Sequence, residues 1–353
     1  MKRKLTTLLL SAAMSISLVG CSNNSKKDEA ANNNGKLEDT VVVYTTHPEE
    51  MLEKVADEFT KETGVNVEFI NLKGELAERV RSEKDNPQAD VMYGGDTATY
   101  MQLKKEGLYE ATNPSWANEL NDSYKDKDGQ WYGTIKTPVM MFYNTDLLSA
   151  DKAPRDWSDL TKSEYKDLIV TRDSLSSSMK STICNLIDYY KNTKGEEEAW
   201  NYLKELNNNT KNYYNSGSLM YSAIGKGEAA ISMATLSDII NNRDDNGMPF
   251  ETIDATSGSV EITDCVAALK NAPHPNAAAA FVEFVGSSKV QTMLANDFNR
   301  IPTLDSALAD SPKWMQTEYK VMDVNWEEIS KNQSAWIERW ETDIIDSNKI
   351  ESN

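Results

Sequence analysis

Val41-Val42-Val43-Tyr44 is an unbroken run of β-branched and aromatic residues. That is the pattern of a strand covered on both faces in a parallel sheet. Thr45-Thr46-His47-Pro48-Glu49-Glu50 follows, offering a capping hydroxyl, a proline for a first turn and two acids. Met51, Leu52, Val55, Ala56 and Phe59 recur at helical spacing until Gly64 stops the helix. Val65 to Ile70 reads as the next strand, Leu76 to Glu83 as a helix, and Ala89 to Tyr93 as a third strand ending in Gly94-Gly95. A β-α-β-α-β rhythm of this kind predicts an open α/β layer.

The rhythm breaks near Trp131. Trp131 to Thr134 and Pro138 to Tyr143 read as extended segments running into Asn144-Thr145-Asp146. Alternation resumes with Leu168-Ile169-Val170 and the serine-rich turn Ser174 to Ser178. Helices over about 180–191 and 196–206 then lead to the strand Ala229 to Met233. Val260 to Leu269 is extended again, Asn276 to Val285 is an alanine-rich helix, and the tail holds Trp314, Trp326, Trp336 and Trp340.

The amino terminus decides the compartment. Lys2-Arg3-Lys4, an apolar stretch from Leu5 to Val19, and small residues before Cys21 form a secretory signal. Its Leu18-Val19-Gly20-Cys21 ending resembles the bacterial lipoprotein lipobox, in which the cysteine is lipidated and becomes the new terminus. The apolar run, about 15 residues, is short for a membrane span, which needs roughly 20. Ser22 to Lys36 contains no large apolar residue and cannot offset its ordering entropy, so it is expected to be a disordered tether.

About 315 residues remain, more than one core usually serves, which predicts two lobes. The chain carries 37 Lys+Arg against 56 Asp+Glu, a net charge of −19 that becomes −22 once the signal is removed. Such acidity argues against nucleic acid and against adsorption to anionic lipid. Beyond Cys21 only Cys184 and Cys265 remain, with no spacing pattern, and they read as two small buried thiols. Two histidines, His47 and His274, leave no room for most histidine-based zinc sites. There is no GxSxG or HExxH motif, and a hydrolase is the weaker alternative class.

Several stretches together resemble the extracellular solute-binding proteins of ABC importers. They are Val41 to Pro48, Glu83 to Val91 ahead of Tyr93-Gly94-Gly95, Phe142 to Asp146, Ser216-Gly217-Ser218 with Gly225 to Ile231, Ile262 to Asp264, and Phe298 to Thr303. The branch with ferric-iron, phosphonate and sugar-phosphate binders is the most similar. The resemblance implies a two-lobed periplasmic-binding-protein type 2 fold, each lobe a mostly parallel sheet flanked by helices, joined by two crossover strands. Residues 1–20 are then a signal peptide and 21–37 the tether. The first lobe takes 38–138 and 265–353, the second 139–264. The implied function is capture of a small solute by hinge closure and delivery to a permease, from a lipid anchor at Cys21. A monomer needing no cofactor is expected.

Ligands of open α/β sheets sit beyond the carboxyl ends of strands, where helix starts present free N–H groups to anions. Four places qualify: Thr45, Thr46 and His47; Gly95, Asp96 and Thr97; Ser176, Ser177 and Ser178; and Ser216, Gly217 and Ser218. Each also has a plain reading as a helix cap. The resemblance singles out the Ser176–Ser178 turn. His47 can donate to an anion, hold a metal or cap its helix, and Arg172 and Arg300 can clamp an anion or serve in structural ion pairs. Ferric-iron binders of this family place adjacent tyrosines after the second-lobe strand, where this chain has Ala234-Thr235-Leu236. That departure favours a phosphorylated sugar or phosphonate over iron, with Thr235 as a further contact.

Overall fold

The computed structural model describes residues 36–72 and 75–351. The signal sequence, Cys21 and the tether up to residue 35 lie outside the described residues. In chain order the first part runs β1 (Thr40–Thr45), α1 (Glu49–Thr63), β2 (Asn66–Asn71), α2 (Leu76–Ser82), β3 (Val91–Tyr93), α3 (Thr97–Lys105), β4 (Tyr109–Glu110) and β5 (Tyr132–Asn144). The middle comprises β6 (Ile169–Arg172), α4 (Ser177–Lys194), α5 (Glu196–Asn209), β7 (Thr210–Tyr214), α6 (Gly217–Gly225), β8 (Ile231–Thr235), α7 (Leu236–Asp244), β9 (Phe250–Ile253) and β10 (Val260–Leu269). The last part is α8 (Pro275–Val285), α9 (Ser288–Phe298), β11 (Ile301–Pro302), α10 (Asp305–Ala309), α11 (Trp326–Arg339) and β12 (Ile350–Glu351).

The two extended segments around Trp131 and Pro138 are one strand, β5, and it pairs antiparallel with β10 from Val139↔Val260 to Tyr132↔Val266. These two strands are the crossovers. On one side β10 continues into the parallel set β3-β1-β2; on the other β5 continues into the parallel set β8-β6-β7. Register fixes where the strand ends point. Tyr93, the last residue of β3, sits opposite Val266, and Thr235, the last of β8, opposite Val139. Both parallel sets therefore end toward the middle of the crossover ladder, and the helices that follow begin facing one another across it.

Each set is covered on both faces. In the first lobe Phe59 of α1 meets Phe281 and Phe284 of α8 edge-on beneath Val41, Val43 and Val91. Leu76, Val80, Tyr100 and Leu103 of α2 and α3 close the other face. In the second lobe α4 and α5 cover one face and α6 and α7 the other. Continuous apolar strands follow from this burial on both sides.

The tail departs from the expected division. Residues 265–353 were assigned to the first lobe, yet Met322, Ile329, Trp336, Trp340 and Ile344 lie in the same buried cluster as Trp157, Tyr202 and Ile183 of the second. Strand β12 adds to β7 in parallel. The reason is area: the outer face of α4 and α5 needs an apolar cover, and the tryptophan-rich helix supplies it. Cys184 and Cys265 are free and buried.

Candidate functional site

The first wall is built at the ends of β1 and β3. Thr45 is fully buried and its Oγ1 accepts the His47 N–H at 3.1 Å, while Asn71 Nδ2 donates to the His47 carbonyl at 2.7 Å. These two bonds fix the backbone, so the imidazole turns inward, 5 % exposed, edge-on to Tyr93 with ring centroids 4.5 Å apart. Its Nε2 has no hydrogen-bond partner among the described residues. Burial, with the Arg300 guanidinium nearby, lowers its pKa to about 3. The ring is therefore neutral at any physiological pH.

Gly94 is what lets this ring approach. Its φ is +100°, and a β-carbon there would stand 3.2 Å from His47 Nε2 and closer still to Thr46 Oγ1. Such a backbone conformation belongs to glycine. Gly95 follows with φ +94°, and its carbonyl accepts the Cys265 N–H at 3.1 Å. Asp96 then caps α3, its Oδ1 accepting the Thr99 N–H at 2.9 Å. Thr97 is buried with Oγ1 3.9 Å from Cys265 Sγ.

The floor is Asp264 of β10, whose Oδ2 accepts the Thr137 hydroxyl of β5 at 2.8 Å. Burial raises its carboxyl above the ordinary range, an effect opposed by Thr137 and Arg300 and reinforced by Asp96. Tyr93 hydroxyl and Arg300 Nε are also buried without partners among the described residues. Burial pushes the Tyr93 phenol upward, so it stays protonated. An orphaned buried donor is costly in a finished core. Tyr93 and Arg300 both feel the Asp264 charge, and His47 feels that of Arg300.

The second wall is the start of α4, α6 and α7. Ser176 caps α4, accepting the Met179 N–H at 3.3 Å, and lies 3.1 Å from Ser178 Oγ. Ser177 is exposed and Ser178 half-buried. Arg172 at the end of β6 is held by the Tyr214 and Asn215 carbonyls at 3.1 and 2.9 Å. Its Nη1 lies 3.4 Å from where a Gly217 β-carbon would be, at the first residue of α6. Ser216 makes no capping bond with its side chain, and Ser218 is exposed. Thr235 caps α7, accepting the Asp238 N–H at 3.3 Å.

The walls touch. Ser181 Oγ of α4 donates to Asp96 Oδ2 at 2.6 Å, and Ser237 Oγ of α7 donates to the Asn299 carbonyl at 2.9 Å, just before Arg300. The structure thus brings Thr46, His47, Gly95 and Asp96 together and sets them against the α4 start, with Thr235 at the crossover edge. Ser216–Ser218 stand one strand further out, with Arg172. Tyr93, Asp264, Thr137 and Ser181 were not singled out from sequence, and Asp264 shares its strand with a second acid, Glu261. His274 donates its backbone N–H to buried Asp90 at 2.7 Å and places its Nδ1 2.9 Å from the same carboxylate.

Residues 86–332 match the family described as Bacterial extracellular solute-binding protein. A Sinorhizobium fredii protein named "Probable ABC transporter periplasmic-binding protein y4fP" is 30% identical over 320 residues, 87% of each chain. The periplasmic binding protein AfuA from Actinobacillus pleuropneumoniae, solved with fructose-6-phosphate bound, aligns with TM-score 0.72 and 25% identity. That alignment covers 86% of this chain and 98% of the other. Apo ferric ion-binding protein A of Pasteurella haemolytica aligns with TM-score 0.76 and 21% identity over 86% and 97% of the two chains, a likeness of fold.

Proposed function

This chain belongs to the bacterial extracellular solute-binding proteins that serve ABC transporters, and from that premise we propose that its solute is a small phosphate- or phosphonate-bearing anion held between the lobes. The observation that carries this is Arg172. Its guanidinium is pinned by two carbonyls at the start of α6, where free N–H groups and a fixed positive charge coincide. The serine turn at α4 and the neutral donor face of His47 and Tyr93 add hydrogen bonds without adding charge. The sugar phosphate bound by the AfuA relative is of this chemical class.

Iron capture is the competing reading, because the ferric ion-binding protein shares the fold. The donors speak against it. Thr235 occupies the position after β8, and Tyr213 and Tyr214 are buried within β7 between β6 and β12.

The proposal includes anchoring through Cys21, release from a signal peptide at 1–20, and two lobes hinged at β5 and β10, with the tail after Met322 counted in the second. No enzymatic step is part of it. A thermal-shift screen of phosphorylated sugars, phosphonates and ferric salts tests the ligand class. Stabilisation by the anions supports it; stabilisation by ferric salt alone, with a tyrosinate colour band, overturns it.

A further inference from the structure

We propose that the chain holds a second site, outside the interlobe cleft, that takes an organic ammonium ion between Trp326 and Tyr189. An open cavity of about 490 Å³ lies where α3, α4 and the start of α11 come together. That is the size of a small-molecule pocket. Met101 comes from α3 of the first lobe, Tyr189 and Asn192 from the far end of α4, and Asn325 and Trp326 from the tail. Tyr189 lies about 18 Å along α4 from Ser177, at 1.5 Å per residue. The cavity is therefore distinct from the cleft at the α4 start.

Its walls are held in place. Tyr189 and Trp326 pack half-buried against the second-lobe core, and Met101 against the first-lobe cluster of α2 and α3. Asn325 caps α11, its Oδ1 accepting the Glu327 and Glu328 N–H groups at 3.1 and 3.2 Å. Asp188 of α4 is fully buried, and its Oδ2 accepts the Asn325 N–H at 2.7 Å and Asn192 Nδ2 at 2.9 Å. Both of these donors line the cavity, so a carboxylate stands directly behind its wall. The other oxygen of that carboxylate, Oδ1, has no partner among the described residues.

The charge around the cavity has one sign. Asp323 and Glu327 line it and are exposed. Neither they nor Asp188 form an ion pair within 4 Å among the described residues. Lys191, the cation that Asp188 feels, is already bonded to Glu328 at 2.7 Å and lies over the Trp336 ring. An anion is repelled by such a setting. A small hydrated metal ion gains nothing from walls of Trp326, Tyr189 and Met101. An ammonium group on an apolar or aromatic body satisfies both features, because aromatic rings and a thioether accept its body while the carboxylates accept its charge.

Fluorine NMR of the mature chain labelled with 5-fluorotryptophan tests this, with the Trp326 line assigned through Trp326→Phe. The probes are matched pairs, choline with 3,3-dimethylbutanol and phenethylamine with 2-phenylethanol, beside magnesium chloride at equal ionic strength. The ammonium member of at least one pair is expected to shift the Trp326 line saturably and to bind at least tenfold tighter than its neutral partner. Asp323→Asn combined with Glu327→Gln changes two exposed side chains. It should weaken that binding at least fivefold and leave the melting temperature nearly unchanged. Equal titration by charged and neutral members overturns the proposal, as does a matching response to magnesium chloride. So does the lack of a saturable shift from either ammonium probe, or an affinity unaltered in the double variant.

Discussion

The carboxylate of Asp96 and the hydroxyl of Ser181 meet at 2.6 Å, and this bond ties the cap of α3 in the first lobe to the second turn of α4 in the second. With Asn299 bonded to Ser237 and to Asn241 (Nδ2 to Oδ1, 2.6 Å), it holds the walls of the cleft together. In a hinged binder such contacts are made only in the closed form, so they set part of the closing equilibrium.

Removing the Ser181 hydroxyl should shift that equilibrium toward open. A hydrogen bond to a charged acceptor contributes about 1.5–3 kcal/mol. Ser181→Ala is expected to weaken ligand binding about tenfold and to raise the ligand-free radius of gyration in small-angle X-ray scattering. Unchanged values in both measurements would show that the bond does not bias closure.

His47 makes stability depend on pH in a definite direction. Its folded pKa of about 3 lies below the unfolded value near 6.5. Above pH 6.5 both states are neutral and the group has no effect. As pH falls below 6.5 the unfolded state takes up a proton that the buried ring refuses. Stability then drops by up to about 1.4 kcal/mol per pH unit, levelling near pH 3. Comparing urea midpoints of the native chain and His47→Gln from pH 7 to 4 should show a shallower loss in the variant.

Gly94→Ala tests the close approach of backbone and ring. The added carbon meets Thr46 Oγ1 and presses on His47 Nε2 at 3.2 Å, on a backbone with φ +100°. About 1–2 kcal/mol of backbone strain is expected from the left-handed conformation alone. Because the displaced atoms line the cleft, ligand affinity should fall more than tenfold while the melting temperature drops modestly.

Trp340 is 2 % exposed within the second lobe's core, next to Trp336 and Ile344. Trp340→Ala should destabilise by about 3–5 kcal/mol, as large aromatic deletions do. Truncation after residue 321 should do more, exposing the α4 and α5 face. Chemical denaturation followed by near-ultraviolet circular dichroism would read both effects.

Local chemistry made much of this legible. Val41 to Tyr44, the Gly64 stop and the Asp96, Ser176 and Thr235 caps all act within a few residues of themselves, through propensity, φ preference and capping bonds. Strand β5 was legible only as two pieces, because Pro138 interrupts the run and only the partner strand β10 shows that pairing continues through it. The tail misled for a different reason. Four tryptophans announce burial but carry no address, since hydrophobic burial has no direction.

By itself the sequence determined the alternation of strand and helix and a set of capped helix starts. Only the tertiary structure decided which starts meet. Asp264 and Arg300 are 36 positions apart, and Asp96 and Ser181 are 85 apart. Their encounter depends on the antiparallel register of β5 and β10, which turns both parallel sheets' carboxyl ends toward one cleft. Periodicity reports which face of an element is buried; it holds no record of what lies opposite.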